Sequence, residues 1–522
     1  MSARHLLNNA QNGNFEAAVQ VFLNYRDGAL DFEKSEEQAQ IAFENIIKIL
    51  NADLFLSTLT LSNFRKILEL ELNLHKNLTV LIGENGVGKT SLLESIRKNL
   101  MWIAATARKE NTNGGTIDPD EVNNLNKIQG AYIDCEFQIG DSYKFKGRVA
   151  RAPEGVNSDL KSDLSKYREI GRNLRILNEY KSINLPLFAI YGIDRLSNDG
   201  RQEKTSDSHK IDGYDGSFRS KSSFNIFIDW LIKLLKIANT VFDSSDKIKI
   251  QTQVDTLLQT GADNKDHPLY ELYENLISVL NTYPDAQVKN QSQKAITFLE
   301  ELFRKIYPDL SHIELVNTDD GKDKVALNLK HEVIFLHQFS DGQRVLFGLV
   351  GDIARRLLLL NDNLDQPFNG RGIVLIDEIE LHLHPSWQQK IILILRESFP
   401  CIQFIVTTHS PHVLSTVDKN QIRIVKNNEI EQVILQTKGV ASSDVLEQIM
   451  GTHSIPQVVD EAQWVDNYLN FINNKAAESS EANILFEKLI NHFGENHPVI
   501  SNLRTQIKIA SIRNRLSKGD NG

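Results

Sequence analysis

Between Leu78 and Thr90 the chain reads LTVLIGENGVGKT, an apolar run that ends in glycine and opens into the pattern Gly-x-x-x-x-Gly-Lys-Thr. An apolar run of this length bounded by glycine predicts a buried strand, and the following SLLESIRKNLMWIAATARK carries apolar residues at helical spacing. Strand, glycine-rich turn and helix in that order make a phosphate cradle. The glycines let backbone N–H groups curl round phosphate oxygens at a helix N-terminus, Lys89 neutralises phosphate charge, and the Thr90 hydroxyl is placed to ligate Mg²⁺. Asn85, Gly86, Gly88, Lys89, Thr90 and Ser91 are therefore the first candidate binding residues.

Three further elements lie downstream. Gly372–Glu378, GIVLIDE, is a buried-strand run that delivers two carboxylates at its end. Asp377 is expected to hold the Mg²⁺ shell, and Glu378 to polarise an attacking water as general base. Phe339–Arg344, FSDGQR, opens the helical run VLFGLVGDIARRLLLL, and its Gly342 lies 35 residues before Asp377. Ser340 with Gln343 three residues on is also a helix capping box, and both readings hold together, because a capped helix N-terminus is itself an anion site. IVTTHSP places His409 at the end of the strand QFIVTT, 31 residues after Glu378. His382 and His384, in ELHLHP, have the spacing of a metal pair, against which stands their place just after the two carboxylates.

This ordered set resembles the ABC-type ATPases. FSDGQR resembles their LSGGQ signature, with Ser340, Gly342 and Gln343 facing the γ-phosphate of a second subunit. His409 resembles the switch histidine, and ELHLHP the D-loop. Asp341 in place of glycine resembles the SMC and recombination-repair branch. LSNFRKI resembles the strand opening of SMC-like heads, which implies that Phe64, Arg65 and Lys66 lie near the adenine, although a surface charge pair accounts for them too. No glutamine stands in Q-loop context; Arg195, in AIYGIDRL, takes that place. Residues 55–425 as a whole resemble SMC-like ATPases of phage defence. Overcoming-lysogenization-defect nucleases add a metal-binding Asp-x-Asp pair, absent from VKNNEIEQVILQTKGVASSDVLEQIMG, so intrinsic nuclease chemistry is not expected. The Septu ATPases remain. That resemblance implies ATP and Mg²⁺ as cofactors, an ATP-sandwiched homodimer, and a partner HNH nuclease. In one variant a retron reverse transcriptase and its msDNA join the complex, and the helical N-terminus points to that variant.

The expected fold is α/β: an ABC-type, SMC-like P-loop ATPase head with a helical insertion and helical regions at both ends. The boundaries read as a cap at 1–52, head at 53–200, loop and helical insertion at 201–308, head again at 309–437, and a helical region at 438–522. NGNFEAAVQVFLNYRDGA resembles one TPR-like unit, but a single copy has no neighbour to bury its face, and a small cap is the plainer reading. The stretch Ser197–Ser223 is polar and rich in glycine and serine, and reads as a mobile loop.

With 58 Lys and Arg against 68 Asp and Glu, the net charge of −10 argues against a surface built for non-specific nucleic-acid binding. Two cysteines far apart exclude a disulfide scaffold, and no apolar stretch is long enough for a membrane span, so a cytoplasmic protein is expected. The alternative function is a repair ATPase that clamps DNA itself. A transporter subunit is disfavoured by the 253 residues between Lys89 and Gly342.

Overall fold

The structure, a computed structural model, describes residues 2–153, 155, 158–194, 210–218, 223–239, 244–282, 286–317, 321, 323–453, 456–474 and 476–519. They form two compact units, Met1–Gly439 and Val440–Gly522. Among the described residues, no helix is long and apolar enough to cross a membrane.

The first unit opens with helices α1 (Ala3–Gln11), α2 (Phe15–Asp27) and α3 (Glu36–Leu50), whose first turns are capped by the side chains of Ser2, Asn14 and Ser35. The YRDG turn ends α2 at Gly28, in the left-handed conformation. An antiparallel sheet follows from β1 (Leu54–Phe64), β2 (Ile67–Asn73), β4 (Ala131–Ile139) and β5 (Tyr143–Arg151), in the order β2-β1-β4-β5. Apolar and polar residues alternate along these strands and so does burial, most regularly in β2 and β5.

The second sheet carries the motifs. β3 (Leu78–Ile82) leads into α4 (Lys89–Arg108); with β6 (Leu187–Tyr191), β10 (Gly372–Ile376), β11 (Ile402–Thr407), β12 (Ile422–Lys426) and β13 (Glu429–Gln432) it forms the order β13-β12-β3-β11-β10-β6. All pairings are parallel except β12 with β13. Every residue of β3, β6, β10 and β11 is buried; α4 packs against β6, β10 and β11, and β1 of the antiparallel sheet also packs against β10 and β11. Since β11 stands between β3 and β10, the C-terminal ends of three motif-bearing strands lie side by side.

Helix α5 (Ser165–Tyr180) was not expected, although Tyr167, Ile170, Leu174 and Leu177 give it a helical apolar stripe. The insertion comprises α6 (Ser223–Asn239), α7 (Ser244–Gln259), α8 (Tyr270–Thr282) and α9 (Ala286–Arg304). A small sheet of β7 (Leu310–Asn317), β8 (Asp323–Leu329) and β9 (Val333–Phe335) then leads into α10 (Asp341–Leu360). Phe303 of α9 stacks on Phe347 of α10 at 4.0 Å, and Phe227 of α6 meets the same ring at 5.6 Å.

One expectation needs correcting. Within the supposed mobile loop, Lys210–Tyr214 is a helical turn, Tyr214 and Ser217 are buried, and the Tyr214 hydroxyl donates to Pro186 O at 2.6 Å. Arg356 of α10 holds it by donating to the carbonyls of Gly213 and Asp215. The rest of that stretch, and Arg195, lie outside the described residues.

In the second unit, α11 (Asp460–Asn473), α12 (Ser480–Phe493) and α13 (Pro498–Gly519) bury Val465, Tyr468, Ile472, Leu489, Ile500 and Leu503 in a core of their own.

Candidate nucleotide site

The P-loop Gly83–Thr90 joins β3 to α4 with Gly83, Gly86 and Gly88 at φ 146°, 80° and 110°. A side chain at Gly83 is also barred by space, because its Cβ would stand 2.3 Å from Val425 O. Asn85 and Gly86 are exposed at the loop tip, and Ser91 is half-buried in the first turn of α4. Lys89 is buried, with Nζ donating to Gly83 O at 2.9 Å and Glu84 O at 2.8 Å. Burial pulls its pKa below the ordinary lysine value, against the pull of Asp377, Glu378 and Glu380.

The hydroxyl of Thr90 donates to Asp377 Oδ2 at 2.8 Å, so the P-loop helix and the end of β10 meet through oxygen donors. The other Asp377 oxygen accepts from Thr407 Oγ1 at 2.6 Å, and the same hydroxyl accepts from Glu378 N at 2.7 Å. Thr407 thus orients both carboxylate residues. Sequence reasoning passed over it as a strand residue, because Asp377 and Glu378 follow a different strand, β10. Glu378 itself has φ 45°, a left-handed conformation that a non-glycine residue holds only under constraint. Thr90 and Asp377 are hard oxygen ligands of the kind Mg²⁺ takes, and their direct contact puts them within the span of one such ion.

His409 stands half-buried, two residues past the end of β11, with its backbone N–H donating to Glu380 Oε1. Ser340 caps α10 as the capping-box reading anticipated: its Oγ accepts from Gln343 N at 3.4 Å, and Gln343 Oε1 accepts from Ser340 N at 2.9 Å. Ser340 and Asp341 are exposed, while the body of the helix is buried. Gly342 packs on the segment after Glu378, where a Cβ would come 2.6 Å from His382 O. Among the described residues, no hydrogen bond joins Ser340, Gly342 or Gln343 to the P-loop of the same chain. His384 caps the short helix Pro385–Gln388, with Nδ1 accepting from Ser386 N at 3.3 Å.

Arg65 is held elsewhere. Its guanidinium pairs with Glu121 at 2.9 Å and lies over the Phe64 ring, while Glu121 also binds buried Lys98 at 2.8 Å. The neighbouring Lys66 is the cation that approaches the P-loop, with Nζ 3.5 Å from Gly86 O.

Residues 55–414 match the family described as AAA ATPase domain. The chain belongs to that family. It is 32% identical over 469 residues to the Retron Vc95 probable ATPase of Vibrio cholerae serotype O1 biovar El Tor, covering 87% of this chain and 90% of that protein. The Retron Ec83 probable ATPase of Escherichia coli is 28% identical over 532 residues, 96% of each chain. The Septu protein PtuA of Bacillus mycoides (strain KBAB4) is 31% identical over 173 residues, 33% of this chain and 21% of that protein. The likeness to the retron-associated ATPases thus runs over nearly the whole chain, and the likeness to PtuA over a third of it.

Proposed function

We propose that this ATPase is the Mg²⁺-dependent, ATP-hydrolysing subunit of a cytoplasmic anti-phage system in bacteria. Two copies sandwich ATP, and the state of that dimer controls a partner HNH nuclease in a complex that includes a retron reverse transcriptase and msDNA. The observation that carries the hydrolytic part is the hydrogen-bonded chain Thr90–Asp377–Thr407–Glu378 beside buried Lys89. The defence setting rests on the retron and Septu relatives.

Each residue has a task. Lys89 exchanges the carbonyls of Gly83 and Glu84 for phosphate oxygens, and the loop N–H groups from Asn85 to Ser91 complete the cradle. Thr90 and Asp377 would hold Mg²⁺, which supplies charge neutralisation at the phosphates. Glu378 takes a proton from the attacking water, and His409 contacts the γ-phosphate. The exposed, capped N-terminus of α10 is free to meet nucleotide bound by another copy, with Ser340, Gly342 and Gln343 at its tip. DNA or RNA cleavage belongs to the partner.

The test is affinity purification of the Glu378→Gln protein from its own cells, with mass spectrometry and nuclease treatment of any bound nucleic acid. Recovery of an HNH nuclease with a reverse transcriptase and its DNA supports the proposal. A bare dimer that binds duplex DNA, with affinity falling steeply as salt rises, replaces it with a DNA-clamping repair ATPase.

A further inference from the structure

The residues after Glu378 connect two parts of the site. Ile379 N donates to Thr407 O at 3.0 Å, which ties the chain beyond the end of β10 to the last residue of β11. One residue on, Glu380 Oε1 accepts from the backbone N–H of His409. Two residues further, the carbonyl of His382 lies against Gly342 at the start of α10. Glu380 therefore sits midway between the histidine and the signature helix. Its other oxygen, Oε2, is buried without a hydrogen-bond partner, and among the described residues it makes no ion pair. A carboxylate buried with one oxygen unsatisfied is costly, so the single bond it makes, to His409, is the one that explains its place. Its charge also reaches the phosphate site, where it is one of three carboxylates that favour the protonated form of Lys89.

We propose that Glu380 is a positioning residue for hydrolysis. By holding the main chain at His409 it sets the direction of the imidazole toward the γ-phosphate; this rests on the ATPase reading above. Glu378 is the proton acceptor, and Glu380 acts through His409 without touching the reacting atoms.

The test compares the full-length wild type with Glu380→Ala, Glu380→Gln and Glu378→Gln in steady-state ATP hydrolysis. A fluorescent ATP analogue gives nucleotide affinity, and thermal unfolding checks the fold. Glu380→Ala is expected to lose about a hundredfold in kcat, with affinity within about threefold of wild type. Glu380→Gln keeps an acceptor oxygen for His409 N and is expected to regain about tenfold of that loss. If the alanine protein does not fold, Glu380→Asp, whose shorter side chain draws the carboxylate away from His409, supplies the same contrast. A glutamine variant as inactive as Glu378→Gln overturns the proposal, because charge and proton transfer would then be what Glu380 provides. Unchanged turnover in Glu380→Ala overturns it, as does a loss of nucleotide affinity equal to the loss of turnover. A wild type that binds ATP without hydrolysing it removes the ATPase reading itself and this role with it, an outcome visible before any variant is compared.

Discussion

The hydroxyl of Tyr191 donates to Asp352 Oδ2 across 2.9 Å in the interior of the head. The same carboxylate takes Arg355 Nη2 and Arg356 Nε, each at 2.8 Å. The Tyr191 carbonyl in turn accepts from Asp377 N at 2.8 Å, so one residue joins the buried charges of α10 to the backbone of the nucleotide site. Burial pushes the Asp352 carboxyl up, but the Arg356 and Arg355 guanidiniums outweigh it and hold the group below its ordinary value. Asp352→Ala strands two guanidiniums in the core and is expected to cost about 3–5 kcal/mol, read as a lower urea midpoint. Tyr191→Phe removes one hydrogen bond and is expected to cost only about 1–2 kcal/mol. Because the native carboxyl is depressed, its contribution is full above the ordinary 3.8 and fades as pH falls through the native value. Equal stability of Asp352→Ala and wild type at neutral pH would show that the cluster does not hold α10 in place.

Lys89 sets a pH dependence on binding. Burial keeps its ammonium below the ordinary 10.5 in the free protein, and nucleotide phosphates favour the protonated form. Binding therefore raises this pKa and takes up a proton. ATP affinity is expected to be level at pH values below the free-protein pKa and to fall above it, at lower pH than an ordinary lysine gives. Calorimetric titration in buffers of different ionisation enthalpy reads the proton uptake; proton release on binding would contradict the assignment.

The parallel strands were legible because burial on both faces makes β10 a continuous apolar run and β3 and β11 mostly apolar ones, and the motif residues stand at their ends. Lys89, Thr90, Asp377 and Glu378 could thus be placed before the fold was known. What stayed hidden depends on partners distant in sequence. Nothing local marks Thr407 as the residue that orients Asp377 and Glu378, because its bonds reach back across the sheet. Polar composition made 210–218 read as loop, yet Arg356 supplies from α10 the donors that bury its carbonyls. The partner of Arg65, Glu121, is 56 residues away in the chain and gives no sign in sequence of lying beside it.

Glu378→Gln leaves Lys89, Thr90 and Asp377 in place while removing the proton acceptor. It is expected to bind ATP, lose turnover by at least about a hundredfold and accumulate as a dimer in gel filtration with nucleotide. Lys89→Ala is expected to bind no nucleotide and to stay unchanged in the same column with or without ATP. Turnover by Glu378→Gln equal to wild type would refute the general-base role.

Among the first residues of α10, Gly342 is the one whose lack of a side chain is needed for space. A Cβ there would stand 2.6 Å from His382 O, a backbone atom in a segment pinned on its other side by the Glu380–His409 bond. Neither partner is the end of a flexible side chain, so the strain moves α10 or the segment. Gly342→Ala is expected to cost about 1–3 kcal/mol. The neighbouring Asp341 is exposed, and Asp341→Ala is expected to change stability by no more than about 0.5 kcal/mol. In Gly342→Ala, nucleotide binding at Lys89 should persist while hydrolysis falls, because the displaced segment carries Glu380 and leaves the P-loop untouched. Thermal unfolding beside ATP-binding and turnover assays separates these effects. A Gly342→Ala protein as stable and as active as wild type would mean that α10 and the His382 segment are not in contact during turnover.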